Sequence, residues 1–126
     1  MADSAQASDP GHEVQEYFDS APEPQRTTLL AMWAVLRELL PEARVTKSYG
    51  VPTLKVAGKG VAGLAHYARH CSYLPMSGSV TATLGAQLAA YRTSKGAVMT
   101  PIDQPLPEDL LRLLVDTRLA ELGRHR

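Results

Sequence analysis

Residues 45–75, VTKSYGVPTLKVAGKGVAGLAHYARHCSYLP, decide the fold. The stretch is rich in Val, Thr, Tyr and Gly, and it reads as sheet where the flanking sequence reads as helix. Residues 44–48 and 53–57 are predicted as short strands around a bend at Tyr49-Gly50-Val51-Pro52. Gly58-Lys59-Gly60 is a turn signal of the kind that closes a hairpin. Residues 61–68 read as a third strand and residues 71–74 as a fourth, with a tight connection near Arg69-His70. Short strands joined by short turns imply an antiparallel meander, one face of which is covered by helices.

The covering helices lie on either side. Asp9-Pro10 reads as a helix start, an acceptor side chain at the cap and Pro at the first helical position. A helix from there to about Ser20 places Val14, Tyr17 and Phe18 on one face. Pro22 and Pro24 punctuate, and a longer helix follows to Leu40. Its Leu29, Met32, Trp33, Leu36, Leu39 and Leu40 recur at spacings of three and four, a core-facing stripe that includes the tryptophan. Pro41 stops it. Beyond the sheet stretch, Ser79 is expected to cap a helix over 80–91. Residues 93–96 read as a loop and 97–100 as one more strand. The last helix, 108–122, carries Glu108 and Asp109 in its first turn and ends at Gly123. The fold class is therefore α+β, a two-layer sandwich. A single domain is expected over 11–123, between a disordered N-terminal tail (1–10) and a basic tail (124–126).

Composition bounds the function. The chain has 126 residues, 44% of them hydrophobic, enough for one small core. No apolar run approaches the length of a membrane span, and the N-terminus lacks the basic start and apolar stretch of a signal peptide. The one cysteine, Cys71, excludes an internal disulfide, and a cytoplasmic location is expected. The formal net charge of +0 hides an asymmetry. Asp3, Asp9, Glu13, Glu16, Asp19 and Glu23 stand in the first 24 residues without a Lys or Arg. Between Ala43 and Ile102 there is no Asp or Glu, while Arg44, Lys47, Lys55, Lys59, Arg69, Arg92 and Lys95 are positive. Such a split can build an acidic face and a basic face on one body.

Few residues combine into chemistry. His66, His70 and Cys71 are metal-ligand types, yet positions four apart on a strand lie roughly 13 Å apart, and the spacing matches no standard zinc pattern. His70 and Cys71, as neighbours on a strand, point to opposite faces and make a poor base–nucleophile pair. A buried, inert thiol is expected. The Ser94-Lys95-Gly96 turn offers backbone N–H groups beside a cation, an arrangement that holds small anions elsewhere. Arg118 falls on the apolar stripe of the last helix, where an arginine must snorkel, pair with a carboxylate or face a pocket. Basic residues spread thinly over sixty positions do not point to a nucleic-acid partner.

Several segments together resemble the YdhG-like domain family: SYGVPTL at 48–54, Gly58-Lys59 ahead of a strand, His70 before Tyr73-Leu74-Pro75, YRTSKG at 91–96, and PLPEDLLRLLVDTRL at 105–119. The likeness spans roughly residues 14–122. It implies a frataxin-like α+β sandwich, in agreement with the meander, and membership beside proposed bacterial iron chaperones. By that analogy iron, and an acceptor protein to receive it, are implied. The metal ligands would be Glu13, Glu16, Asp19 and Glu23, hard oxygen donors that suit iron. The residues themselves suggest a second function, a binding module for a small phosphorylated or carboxylated anion. Its cleft would lie between sheet and last helix, with Tyr49, His70, Lys95 and Arg118 around it. No nucleophile–base–orienter set can be assembled, so an enzyme is not expected.

Overall fold

The computed structural model describes residues 10–126; the expected tail and the Asp9 cap lie outside the described residues. Two helices open the fold, α1 (Pro10–Ser20) and α2 (Gln25–Leu39). Val14 and Phe18, one turn apart, bury their side chains, and α2 buries Leu29, Met32 and Leu36. Trp33 is half-buried and lies against Phe18, the ring centroids 5.3 Å apart. Glu23 ties down the first turn of α2, accepting from the Thr27 N–H at 3.2 Å and the Thr27 hydroxyl at 2.8 Å.

Then come the strands β1 (Arg44–Ser48), β2 (Val51–Val56), β3 (Lys59–His66) and β4 (Cys71–Leu74). A short helix α3 (Val80–Thr83), the hairpin β5 (Arg92–Ser94) and β6 (Ala97–Thr100), and α4 (Glu108–Glu121) complete the chain. All pairings are antiparallel, in the order β1-β2-β3-β4-β6-β5. The first two turns each place both central residues at positive φ: Tyr49 at 53° with Gly50 at 79°, and Ala57 at 51° with Gly58 at 81°. That backbone matches the twist of two-residue hairpins. Pro52 has no N–H to give, and β3 pairs with β2 only from Thr53 onward.

Alternation along the strands separates two faces. Leu54, Ala62, Leu64, Tyr73 and Val98 lie in register on the face that meets Val14, Leu29, Leu36, Leu111 and Leu114 in one apolar cluster. The opposite face carries the row Thr46, Thr53, Gly63, Leu74 and the row Ala65, Ser72, Met99, small or polar except for Leu74 and Met99. A bulge falls between Leu54 and Lys55, so that Ala62 opposes Leu54 but Gly60 opposes Lys55. Val61 is the extra residue there, which is why both Val61 and Ala62 are fully buried.

Two expectations need correction. The helix expected over 80–91 is regular only to Thr83. Val80, Thr81 and Thr83 are β-branched and Gly85 follows, a combination that propagates a helix poorly. The segment continues as turns with three-residue bonds such as Tyr91 N–H to the Leu88 carbonyl at 2.9 Å, while still burying Leu84 and Leu88. Ser79 does not cap through its side chain; its hydroxyl goes to Glu121, and Ser77 Oγ instead accepts the Ser79 N–H at 3.1 Å. Residues 93–96, expected as a loop, contain the end of β5 and its two-residue turn into β6. The last helix ends as expected: Gly123 takes φ 74°, and the Arg124 N–H reaches back to the Leu119 carbonyl at 2.8 Å. Arg126 folds back onto α4, its Nε 2.7 Å from Asp116 Oδ1. No helix among the described residues is long and apolar enough to cross a membrane.

Candidate functional site

The hairpin of β2 and β3 and the second half of α4 enclose a cleft of about 460 Å³. Strand β4 ends opposite Gly63, so Gly60 has no strand neighbour on that side. Arg118 takes the vacant place. Its Nε donates to the Gly60 carbonyl at 2.9 Å and its Nη1 to Glu121 Oε1 at 3.3 Å, with 15% of its side chain exposed. The arginine on the apolar stripe thus both pairs with a carboxylate and faces a cavity. Lys55 and Lys59 stand on the same cleft. They are four residues apart across the Ala57-Gly58 turn, and neither has an ion pair among the described residues. Ser48, Tyr49 and Thr53 add hydroxyls, and no Asp, Glu, His or Cys lines the cavity.

One wall is a loop under tension. Met76 sits at φ 61°, a left-handed backbone that a flexible side chain adopts only when held there. It lies over β3, where a Cβ on Gly63 would come within 2.4 Å of Met76 Cε and one on Gly60 within 3.1 Å of Met76 Cγ. Glu121 fixes the residues that follow. It accepts the Ser77 hydroxyl at 2.6 Å, the Ser79 hydroxyl, and Arg118. The Ser77 hydrogen bond first, then that of Ser79 and the guanidinium, hold its carboxyl below the usual range against the opposing effect of burial. Tyr49, also at positive φ, is 94% exposed on the cleft's rim.

The four anion-site residues expected from sequence do not meet. Tyr49 and Arg118 share this cleft. Lys95 lies beside it, against the loop that Glu121 holds: a Cβ on Gly78 would come within 3.1 Å of Lys95 Cε. His70 is elsewhere, beyond the His66–Cys71 end of β3 and β4, roughly 20 Å from Gly60 by strand rise. It stacks on Tyr67, centroids 4.7 Å apart, and lines a different cavity. Lys55 and Lys59 stand among the positive charges of the acid-free block but outside the expected site, because a turn at Gly58-Lys59-Gly60 puts Lys59 in the loop. Setting the turn one residue earlier brings the two lysines together.

The remaining candidates lie apart from this cleft. His66 and Cys71, not His70 and Cys71, are the cross-strand pair. His66 packs on Tyr17, whose hydroxyl accepts the His66 N–H at 3.0 Å, and burial lowers the imidazole pKa. Burial pushes the Cys71 thiol up to about 11, so it stays protonated near neutral pH. Glu16, Asp19 and Glu23 are exposed and Glu13 is half-buried. Glu16 pairs with His12 at 3.3 Å, Asp19 accepts from Gln15 at 2.9 Å, and Glu23 is spent on the start of α2. Among the described residues no three His, Cys, Asp or Glu side chains are grouped as a metal ion requires. A third cavity, of about 660 Å³, lies against the C-terminal residues and mixes Glu38 and Glu42 with Arg124 and Arg126.

No family model matches the sequence, and no curated protein matches it. By structure the chain is similar to the crystal structure of YdhG, a protein of the DUF1801 family from Bacillus subtilis, with a TM-score of 0.80 at 15% sequence identity. The likeness covers 89% of this chain and 92% of that one. The six-stranded antiparallel sheet with its helices thus follows a YdhG-like fold.

Proposed function

We propose that this protein is a binding module for a small phosphorylated or carboxylated anion, held in the cleft between the β2–β3 hairpin and α4. The observation that carries the reading is the convergence of Lys55, Lys59 and Arg118 on one cavity that no carboxylate lines. Glu121 neutralises part of Arg118, so the two lysines supply the uncompensated charge and the guanidinium supplies a fixed donor. Ser48, Thr53 and Tyr49 offer hydroxyls to the remaining oxygens of the anion. No carboxylate, imidazole or thiol lines the cleft beside these hydroxyls and amines, and the reading is one of binding.

Thermal unfolding against a panel of anions tests this. A ligand present at 100 times its dissociation constant stabilises the folded state by about 2.7 kcal/mol when it binds only that state. At least one phosphorylated or carboxylated compound is expected to raise Tm, and the shift is expected to vanish in Lys55→Ala/Lys59→Ala. A panel without any shift, or a shift unchanged in that variant, removes the proposal. The same assay with anaerobic ferrous iron addresses the iron role implied by the family resemblance. A rise with iron that Glu13→Ala/Glu16→Ala/Asp19→Ala abolishes would place the cargo on α1 instead.

A further inference from the structure

We propose a second ligand site at the other end of the sheet, for an organic oxyanion whose charged head is attached to a flat apolar body. A cavity of about 550 Å³ lies between the β3–β4 turn on one side and β5, β6 and the connector after β6 on the other. Arg69 and His70 project from the turn, Arg92 from β5 and Gln104 from the connector. Neither arginine has an ion pair or a side-chain hydrogen bond among the described residues, and no carboxylate lines the cavity.

Both walls are held from one helix. Gln25 and Thr28, three residues apart at the start of α2, are 4% and 3% exposed. The Gln25 amide donates to the Tyr67 and Ala68 carbonyls at 3.1 and 3.4 Å, fixing the turn that carries Arg69. The Thr28 hydroxyl donates to the Ile102 carbonyl at 2.7 Å, fixing the connector that carries Gln104. Tyr67 stacks on His70 at an interplanar angle of 22°, which locks the imidazole at the rim. Two polar side chains on a core-facing helix would ordinarily be apolar. Here they order the two rims of a cleft, so that little chain freedom remains to be lost when a ligand enters.

The lining sets the ligand class. Guanidinium groups match the forked oxygens of phosphate and carboxylate better than they match a point anion. Tyr91, Met99 and Pro101 supply an apolar surface beside them, which inorganic phosphate would leave unused. An aryl or similarly flat organic phosphate or carboxylate uses both. The site is separate from the cleft at Arg118, and it stands whether or not that cleft binds anything.

Calorimetric titration of the full chain carrying Lys55→Ala/Lys59→Ala isolates it. Phenyl phosphate is expected to bind this background one to one, at least tenfold more tightly than inorganic phosphate. Adding Arg69→Ala/Arg92→Ala is expected to weaken it at least tenfold, with the urea midpoint unchanged because both side chains are exposed. Benzoate in a parallel arm decides whether the head is phosphate or carboxylate, and binding of either supports the site. Three results would overturn it: no binding in the Lys55→Ala/Lys59→Ala background, equal affinity for inorganic phosphate, or binding that survives loss of both arginines.

Discussion

Replacing Arg118 with Met separates two things the side chain does. Methionine keeps an apolar stem of similar reach along α4 but removes the guanidinium. The Gly60 carbonyl, which has no strand neighbour on that side, then loses its donor. A polar group left unsatisfied away from water costs about 1–3 kcal/mol, and a hydrogen bond involving a charged group contributes about 1.5–3 kcal/mol. Arg118 is 15% exposed, so solvent replaces the bond only in part, and a loss of about 2–3 kcal/mol is expected. The ion pair to Glu121 is the smaller contribution. Its 3.3 Å separation and the 25% exposure of Glu121 put it nearer the range of surface pairs, below about 1 kcal/mol. Urea unfolding followed by the fluorescence of Trp33, half-buried against Phe18, gives both numbers when Arg118→Met, Glu121→Gln and the double variant are compared. With a slope of about 2 kcal/mol per molar, Arg118→Met lowers the midpoint by roughly 1–1.5 M. The coupling to Glu121 stays under about 1 kcal/mol. A midpoint that barely moves, or a coupling as large as the whole loss, would refute the assignment of Arg118 as the donor that closes the unpaired stretch of β3.

Three further outcomes follow from the same geometry. Burial lowers the His66 pKa, so the unfolded chain binds its proton more readily than the folded one does. The stability this contributes is complete above the ordinary histidine pKa and is lost as pH falls through it towards the folded value; His66→Gln should flatten the slope of the urea midpoint between pH 7 and 5. Glu121, an acid with a lowered pKa, gives a pH dependence of the same sign in a more acidic window. Its contribution is present above the usual carboxylate range and disappears as pH falls through the lower folded value, and Glu121→Gln should remove that acid-side decline. Gly63→Ala drives a Cβ to 2.4 Å from Met76 Cε and 3.2 Å from the Pro52 carbonyl; a destabilisation of about 1–3 kcal/mol is expected, and pairing it with Met76→Ala should recover part of that loss.

Where residues carry their own periodicity or punctuation, the fold is readable from the chain. The stripe of α2, the bounds of β1 and β4, and the acids that open α4 all lie where the residues put them. What the chain hides is set by partners distant in sequence. Strand β5 is three exposed residues, Arg92–Ser94, and exists only because the turn at Lys95-Gly96 lays it against β6. The bulge at Val61 depends on how β2 and β3 register, and it decides which lysines face Arg118. Arg118 itself was legible as a cation on an apolar stripe. His70 was not, because nothing in its neighbourhood says which end of the sheet it occupies. Gln25 and Thr28 carry no outward sign at all; two polar residues at the start of an amphipathic helix look like solvent-facing ones until the turn and the connector are seen to hang from them.

The most direct test of the anion cleft is a map of backbone amide shifts on the full chain titrated with a phosphorylated compound that raises its Tm. Saturable changes are expected at Ser48, Tyr49, Lys55, Gly58, Lys59 and Gly60, at Met76, and around Arg118 on α4. Changes absent from these residues, or confined to the acidic side of α1, would contradict the assignment of the cleft between β2–β3 and α4 as the place where this protein binds its ligand.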